Sequence, residues 1–383
     1  MSLLEELSCS CRRARARHPY VWQRLADKLH KALAFLLLVT TMVFLLGLAA
    51  GVVHTGSNIH RLHVGIGRHH SDAHELHLSL GSSEHQQHRL KGPLQYDDEF
   101  VLQVIRSKYL VAPSPSDDPY HLESTQKYED FLSLVSWVFL SSRIKAVLGP
   151  KRGGFFVEAG ALDGQFLSNT LPLERELGWT GLLVEANSRS YQELQKRNRK
   201  AWLSPACLSP SNYPQELILN QLEMKHTRKE DQYPWIARGS SHLQSTAGHD
   251  QDVMLTQYHT TYASVQCFPL ASMLLALNTS HVDLLSLDVE GSEPAILRSM
   301  PWSQFTVSVL LVEHHGEKHG RDMQFHNFLA SQGFMMYDHL TDGEGVSDYV
   351  FLSNDYWKVN KEKIEKRAVG LPKMKKEAIA SAR

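Results

Sequence analysis

The strongest constraint on the fold of this chain is an alternation of short apolar strands and helices that begins near residue 153. The predicted strands lie at 155–159, 182–185, 202–207, 265–268, 282–288, 307–313, 334–338 and 349–352. Helices separate most of them, which predicts a parallel sheet covered by helices on both faces. The last two strands have no helix between them, so the final strand should pair antiparallel. We therefore predict an α/β, Rossmann-like, seven-stranded, mostly parallel sheet, with its ligand outside the carboxyl ends of the strands.

A mostly apolar, uncharged run at 32–53 precedes this region. As a helix it would rise about 33 Å, enough for a hydrocarbon core of roughly 30 Å. Seven basic residues precede the run, and none follows it before Arg61. The positive-inside rule then places the N-terminus in the cytosol. A cleaved signal peptide is the alternative, but the run exceeds the usual apolar region of such peptides. We predict a single transmembrane signal-anchor, with the lipid bilayer as a partner, in a type II protein of the endoplasmic reticulum, Golgi and endosomal system.

Composition divides the chain into five segments. They are a cytosolic basic leader at 1–31, the transmembrane segment at 32–53, a histidine-rich stem and linker at 54–121, the alternating domain at 122–356, and a lysine-rich tail at 357–383, for which a solvated helix is predicted. The formal net charge of -1 argues against nucleic-acid binding. No predicted element covers the polar stretch at 210–262, which interrupts the alternation.

Two of the four cysteines, Cys207 and Cys267, would lie in an oxidising lumen under this topology. They could form a single disulfide there, or they could be two small buried side chains.

A glycine turn follows the first strand, and an acidic residue ends the second. Gly160 allows the backbone to turn sharply and to approach a ligand closely, while Glu185 can accept both hydroxyl groups of a ribose. The dinucleotide pattern G-x-G-x-x-G is absent. A wide turn of this kind suits a nucleoside without phosphate groups, such as S-adenosylmethionine. The alternative is that the glycines only shape a tight turn.

A second group of polar residues follows the strand at 282–288. Asp288 ends this strand, and Glu290 and Glu293 come within one turn. Three carboxylates in one place need a cation, a proton or solvent to relieve their repulsion. Mg²⁺ or Ca²⁺ would be suitable, but the sequence assigns no metal ligands. The alternative is a helix N-terminus whose acids favour the helix dipole. On the following strand, His314 or its neighbour could be a general base, or a core histidine.

These blocks resemble the FkbM-type methyltransferase domain. The resemblance spans about 125–355, and it is carried by Gly-Phe-Phe-Val-Glu-Ala-Gly-Ala at 154–161, Asp-Gly at 163–164, Ser-Asn-Thr at 168–170 and Leu-Asp-Val-Glu-Gly-Ser-Glu at 287–293. It implies an S-adenosylmethionine-dependent O-methyltransferase fold. By position it implies that Glu158, Gly160 and Asp163 line the methionine side of the cofactor, Glu185 binds the ribose, and Asp288 lies near the transferred methyl group. Asp288 and His314 are the candidate catalytic residues.

The arrangement of anchor and domain is similar to that of the animal proteins related to Star. That similarity implies a membrane-anchored lumenal protein in transport from the endoplasmic reticulum to the Golgi and in vesicles, with client membrane proteins such as growth-factor precursors. The sequence departs from the enzyme pattern at 161–163 and in the insertion at 210–262. The architecture favours the transport role. The alternative is an O-methyltransferase acting on a hydroxyl group of a glycan, lipid or small molecule.

Overall fold

The computed structural model describes residues 93–124, 135–224, 234–244, 258–314, 322–341 and 347–371. All of them belong to one unit, Leu78–Arg383. The predicted leader, the transmembrane segment at 32–53, residues 54–92 of the stem and linker, and residues 372–383 of the tail lie outside the described residues. Within the described ranges, no helix is both long enough and apolar enough to cross a membrane.

The described residues contain strands of two separate sheets and helices of up to four turns. The strands are β1 Phe155–Ala159, β2 Thr180–Val184, β3 Trp202–Ser204, β4 Cys207–Leu208, β5 Gln215–Met224, β6 His242–Leu243, β7 Tyr258–Phe268, β8 His281–Leu287, β9 Thr306–Glu313, β10 Phe334–Thr341 and β11 Ser347–Ser353. The helices are α1 Glu99–Val104, α2 Val135–Leu148, α3 Leu171–Leu177, α4 Ser188–Gln195, α5 Pro234–Gly239, α6 Leu270–Ala276, α7 Glu293–Ser299, α8 Met323–Ser331 and α9 Asn354–Ala368.

The larger sheet has seven strands in the order β10-β11-β9-β8-β1-β2-β3. β1 lies near the centre and pairs in parallel with both β2 and β8. β11 pairs antiparallel with β9 and with β10, and the other pairs in this sheet are parallel. The prediction of a seven-stranded, mostly parallel sheet with an antiparallel final strand is confirmed, but the strand predicted at 265–268 belongs to β7 of the second sheet. The carboxyl ends of β1, β2, β8 and β9 therefore meet at one edge.

Alternate side chains of the central strands enter two apolar clusters, one on each face of the sheet. Phe156 and Leu284 belong to one cluster, together with side chains of α2 and α9. Val157 and Leu285 belong to the other, which includes side chains of α6, α7 and α8. Strands covered on both faces bury apolar side chains toward both, as Leu284 and Leu285 of β8 show. Each buried side chain of this size contributes roughly 1.5–3 kcal/mol, so the core holds the strand ends in fixed positions.

The stretch at 210–262, for which no element was predicted, forms most of a second sheet, and here the sequence analysis was wrong. This sheet has the strand order β4-β7-β5-β6. β5 and β7 pair antiparallel from Gln215 opposite Cys267 to Met224 opposite Tyr258. Leu219 and Leu222 on β5 are buried, although polar residues surround them in sequence. The described parts of the insertion therefore belong to the same domain as the larger sheet.

A disulfide joins the second sheet to the chain segment that leaves β3. Cys207 on β4 is bonded to Cys267 on β7, and their Cα atoms are 4.3 Å apart. The two residues are also direct partners in the parallel pairing of these strands. Of the two alternatives that the sequence left open, the structure has the disulfide.

The last described helix, α9, packs on the domain. Ile364 is fully buried, and the Tyr356 hydroxyl donates to the Val147 carbonyl at 3.0 Å. Residues 357–368 are therefore attached to the core, whereas the sequence suggested a solvated helix. Residues 372–383 of the tail lie outside the described ranges.

Candidate functional site

A cavity of about 480 Å³ lies at the carboxyl ends of β1, β2, β8 and β9. Its volume falls within the range of roughly 300–1,000 Å³ that is usual for small-molecule sites. One wall consists of the loops that follow these strands. The opposite wall comes from the second sheet and includes Leu219, His242 and Leu243. The cavity thus combines the strand ends at which the sequence placed a ligand with a wall that the sequence did not predict.

Gly160 begins the turn after β1, with a φ of 81°. The N–H groups of Gly160 and Ala161 donate to the Val184 carbonyl at 3.0 and 3.1 Å. A Cβ atom on Gly160 would lie 1.8 Å from the carbonyl oxygen of Asp288. The sequence predicted that glycine here permits close approach of a ligand. In the structure, the atom that requires glycine is the backbone of Asp288, whose N–H donates to Ala159 at 3.1 Å.

Glu185 directly follows β2 and lines the cavity. The backbone N–H of Leu162 donates to Oε2 and that of Asn187 to Oε1, each at 2.7 Å. Burial raises the pKa of Glu185 to about 7, the charge of Asp288 acts in the same direction, and the two N–H groups oppose it. Each carboxylate oxygen can accept a further hydrogen bond. The side chain is therefore held in place and can accept two hydroxyl groups from a ligand.

Glu158 lies on the cavity wall, but its carboxylate is engaged by the segment that precedes α3. It accepts hydrogen bonds from the Ser168 hydroxyl and the Asn169 N–H, both at 2.8 Å, and from the Thr170 hydroxyl. Burial raises its pKa, while the nearby Arg199 guanidinium lowers it. The structure therefore gives Glu158 a role in ordering residues 168–170.

Asp163 is fully buried and is not among the residues that line the cavity. Its Oδ1 accepts hydrogen bonds from the N–H groups of Gln165 and Phe166 at 2.9 and 2.7 Å. Its Oδ2 pairs with the Arg197 guanidinium at 2.6 Å. Asp163 thus stabilises the loop whose start, at Gly160 to Leu162, forms part of the wall.

Three carboxylates meet at the ends of β8 and β9, on the other side of β1 from Glu185. Asp288 directly follows β8, Glu290 comes two residues later with a φ of 57°, and Glu313 ends β9. Their carboxylate oxygens all lie within 4.8 Å of one another. Burial raises the pKa of Glu313 well above its usual range, and the charge of Asp288 and a hydrogen bond with it act in the same direction. We call these three residues the acidic cluster.

The sequence grouped Glu293 with Asp288 and Glu290, but the structure separates it from them. Glu293 is 1% exposed. It accepts the N–H groups of Val289 at 2.8 Å and of Gly291 at 3.0 Å. Burial raises its pKa to about 8, and the charges of Asp288 and Glu290 add to this effect. Glu293 therefore closes the loop between β8 and α7, and Glu313 takes its place in the cluster.

His314 lies beside the acidic cluster in sequence but not in the structure. It is buried, its Nε2 lies 3.3 Å from Oδ2 of Asp322, and its ring is 5.0 Å from that of Phe325. It does not belong to the cavity wall, whereas Glu313 does. Successive residues of a strand point to opposite sides, so only one of the two can face the cavity. The neighbouring histidine, at 315, lies outside the described residues.

Arg238 on α5 and His242 on β6 reach the cavity, and the sequence analysis missed both. Arg238 pairs with Glu193 at 2.9 Å. His242 Nε2 lies 3.1 Å from Asn220 Nδ2, and its Nδ1 lies 3.1 Å from the Ser240 carbonyl oxygen. The segment had no predicted element, so no signal pointed to a site there.

Comparison with known proteins supports the fold that the strand order defines. Residues 158–336 match the sequence model of the methyltransferase FkbM domain. Among solved structures, the chain is similar to magnesium protoporphyrin IX methyltransferase from Synechocystis with bound SAM, at 10% identity and a TM-score of 0.32, over 67% of this chain and 92% of that one. It is also similar to a TehB-like SAM-dependent methyltransferase from Corynebacterium glutamicum, at 9% identity and a TM-score of 0.29, over 60% and 95%. No curated protein matches. The TM-scores of these two structures are low, so they do not carry the fold assignment. The strand order and the family match assign a methyltransferase-like α/β fold with a mostly parallel sheet.

Proposed function

We propose that this chain is an S-adenosylmethionine-dependent methyltransferase that acts on a hydroxyl group. The observation that carries the proposal is the position of Glu185 in the cavity. Its two carboxylate oxygens are oriented by backbone N–H groups, and each can still accept a ribose hydroxyl. The match of residues 158–336 to the FkbM methyltransferase domain supports the same function.

The residues of the cavity fit this cofactor. Glu185 would hold the ribose, and the apolar side chains of Ala206, Leu208 and Leu219 offer a surface for the flat base. Asn169 and Ser286, on the side of β1 and β8, offer polar groups for the amino-acid part of the cofactor. S-adenosylmethionine supplies an electrophilic methyl group when it is bound.

Methyl transfer to oxygen requires alignment of the acceptor and, for a weakly acidic hydroxyl, a base. Asp288 is exposed at the cavity and can accept the hydroxyl proton. Glu313 hydrogen-bonds to Asp288 and holds its proton to a higher pH than usual. Asp288 is therefore the proposed base. His314 is not assigned this role, because it is buried against Phe325 and does not line the cavity. Glycans, lipids and small molecules with a free hydroxyl group are the acceptor classes.

Calorimetric titration of the full chain with S-adenosylmethionine tests the proposal. Wild type should bind, and Glu185→Gln should weaken binding by about 1.5–3 kcal/mol, the scale of a charge-assisted hydrogen bond. Glu365→Gln is the matched control, because it makes the same chemical change on an exposed face of α9. If wild type shows no binding, or if both variants bind equally well, the proposal fails.

We also propose that residues 32–53 anchor the protein in a membrane of the secretory pathway, with the domain in the lumen. The uncharged run and the excess of basic residues before it support this topology. In sealed microsomes, residues 54–383 should resist added protease, and Asn278 in the sequon at 278–280 should carry a glycan. Digestion of residues 54–383 without detergent would show that the domain lies on the cytosolic side and would contradict the proposed topology. A transport role with a lumenal client finds no support in the cavity or in the family match, so the enzyme function is the one proposed.

A further inference from the structure

The acidic cluster has the dimensions of a ligand set for one metal ion. A divalent cation such as Mn²⁺ or Ca²⁺ binds oxygen at roughly 2.1–2.5 Å, so two of its ligands on opposite sides are separated by no more than about 4.2–5 Å. One carboxylate oxygen from each of Asp288, Glu290 and Glu313 lies within 4.8 Å of the other two. Small side-chain rotations would therefore bring all three oxygens to one ion.

A buried hydroxyl group in the same cavity has no hydrogen-bond partner. Ser292 follows Glu290 by two residues, lines the cavity and is 1% exposed. It occupies the N-cap of α7, where a serine oxygen usually accepts a backbone N–H, but it makes no such bond. Among the described residues, no group pairs with its Oγ. An unpaired buried hydroxyl group is unfavourable, and a ligand at this end of the cavity would provide the missing hydrogen-bond partner.

The donors in this part of the cavity are all oxygen atoms. Besides the three carboxylates and Ser292, Asn169 lines the cavity, and its Oδ1 has no partner among the described groups. Asp348 pairs with Glu313 across β9 and β11 and adds a further negative charge. Oxygen donors suit Mg²⁺, Mn²⁺ and Ca²⁺, whereas structural zinc sites use cysteine and histidine.

We propose that Asp288, Glu290 and Glu313 bind one divalent cation of the oxygen-preferring class, with the Ser292 hydroxyl beside it. The ion would lie where the proposed function places the methyl acceptor. A cation there binds the acceptor oxygen and makes its hydroxyl more acidic. This role for the ion rests on the proposed methyltransferase function, whereas the binding of the ion itself does not.

Titration of the chelator-treated full chain with Mn²⁺, followed by electron paramagnetic resonance, tests the site. We expect one Mn²⁺ per chain, with a dissociation constant of roughly 10⁻⁵ to 10⁻³ M, and displacement by Mg²⁺ or Ca²⁺. Glu313→Gln and Asp288→Asn should each weaken binding by tenfold or more, on the order of the losses known for metal sites. Asp355→Asn is the control, because it neutralises a carboxylate that is 95% exposed on α9.

Thermal unfolding separates loss of the ion from loss of the fold. Glu313→Gln replaces a side chain that already keeps its proton, and Asp288→Asn removes a charge beside Glu290, so the metal-free variants should unfold close to the temperature of wild type. The proposal is overturned if Mn²⁺ does not bind in the low millimolar range, or if Glu313→Gln and Asp355→Asn bind it equally well. Titration of the metal-free chain with S-adenosylmethionine distinguishes the two proposals. Cofactor binding without Mn²⁺ binding removes only the metal site, and Mn²⁺ binding without cofactor binding removes only the enzyme.

Discussion

Replacement of Gly160 by alanine tests whether the turn after β1 is the contact that joins β1 to the end of β8. At Gly160 the φ is 81°, and the added Cβ would lie 1.8 Å from the carbonyl oxygen of Asp288. Gly333 is the matched control, with a φ of 87° and no atom within 4 Å of an added Cβ. The two substitutions therefore share the backbone strain, and only Gly160→Ala adds the overlap.

The expected magnitudes follow from these two positions. A left-handed backbone at alanine costs about 1–2 kcal/mol. Alanine also reduces the conformational entropy of the unfolded chain, which stabilises the folded state by roughly 0.4–1 kcal/mol. Gly333→Ala should therefore destabilise the fold by about 1 kcal/mol. At Gly160 the Cβ would come to about half of an ordinary contact distance, and overpacking of this kind adds typically 1–3 kcal/mol. We expect about 2–4 kcal/mol in total for Gly160→Ala.

Urea unfolding of the two variants measures the difference, and calorimetry with S-adenosylmethionine adds a second readout. Gly160→Ala should lose affinity because relief of the overlap displaces the backbone of Asp288 at the cavity, whereas Gly333→Ala should bind as wild type does. If the two variants differ by less than about 0.5 kcal/mol, the scale of ordinary surface substitutions, the close approach does not hold the strand ends together.

Three further predictions concern single interactions. Glu185 keeps its proton to about pH 7 in the folded chain and releases it near pH 4.5 in the unfolded chain. The free energy of unfolding should therefore fall by on the order of 3 kcal/mol as the pH rises between those values. Urea unfolding of Glu185→Gln should lack this part of the pH dependence, and an unchanged pH dependence would contradict the prediction. Replacing Cys207 and Cys267 by alanine opens a loop of 60 residues and should lower the free energy of unfolding by about 4 kcal/mol. Peptide mapping of the wild-type protein without reductant should show the two cysteine peptides linked. Arg199→Met leaves the Glu174 carboxylate buried without the guanidinium that lies 3.0 Å away, and it should destabilise the fold by about 3–5 kcal/mol. Arg189→Met removes the exposed pair with Glu223 and should cost less than about 1 kcal/mol. Equal midpoints of thermal unfolding for the two variants would refute this prediction.

The local pattern of the chain was sufficient to predict the larger sheet and the edge at which the site lies. Strands β1, β8 and β9 are mostly apolar because both faces are covered, and helices follow them along the chain. Parallel strands place their carboxyl ends at one edge, so Glu185 and Asp288 could be brought to the same cavity without knowledge of any contact. Gly160 was recognised as a required glycine from its position after β1, although the atom that requires it was not.

The second sheet could not be predicted in the same way, because β5 and β7 stabilise each other across a long separation in sequence. Their residues are largely polar, and only the paired strands bury Leu219 and Leu222. The sheet in turn brings Arg238 and His242 to the cavity. No local pattern marks a residue whose role depends on a partner that lies far away along the chain.

Apolar periodicity along the chain was enough to predict which residues end the central strands, because it follows the burial of each element. Which of the neighbouring polar side chains face the cavity depends on the folded arrangement. Glu313 faces it and His314 does not, because the register of β9 against β8 and β11 selects one side of the strand. Glu293 is turned into the loop by the N–H groups of Val289 and Gly291. Side-chain direction at a strand end depends on pairing and on nearby hydrogen-bond donors, and both are properties of the folded chain.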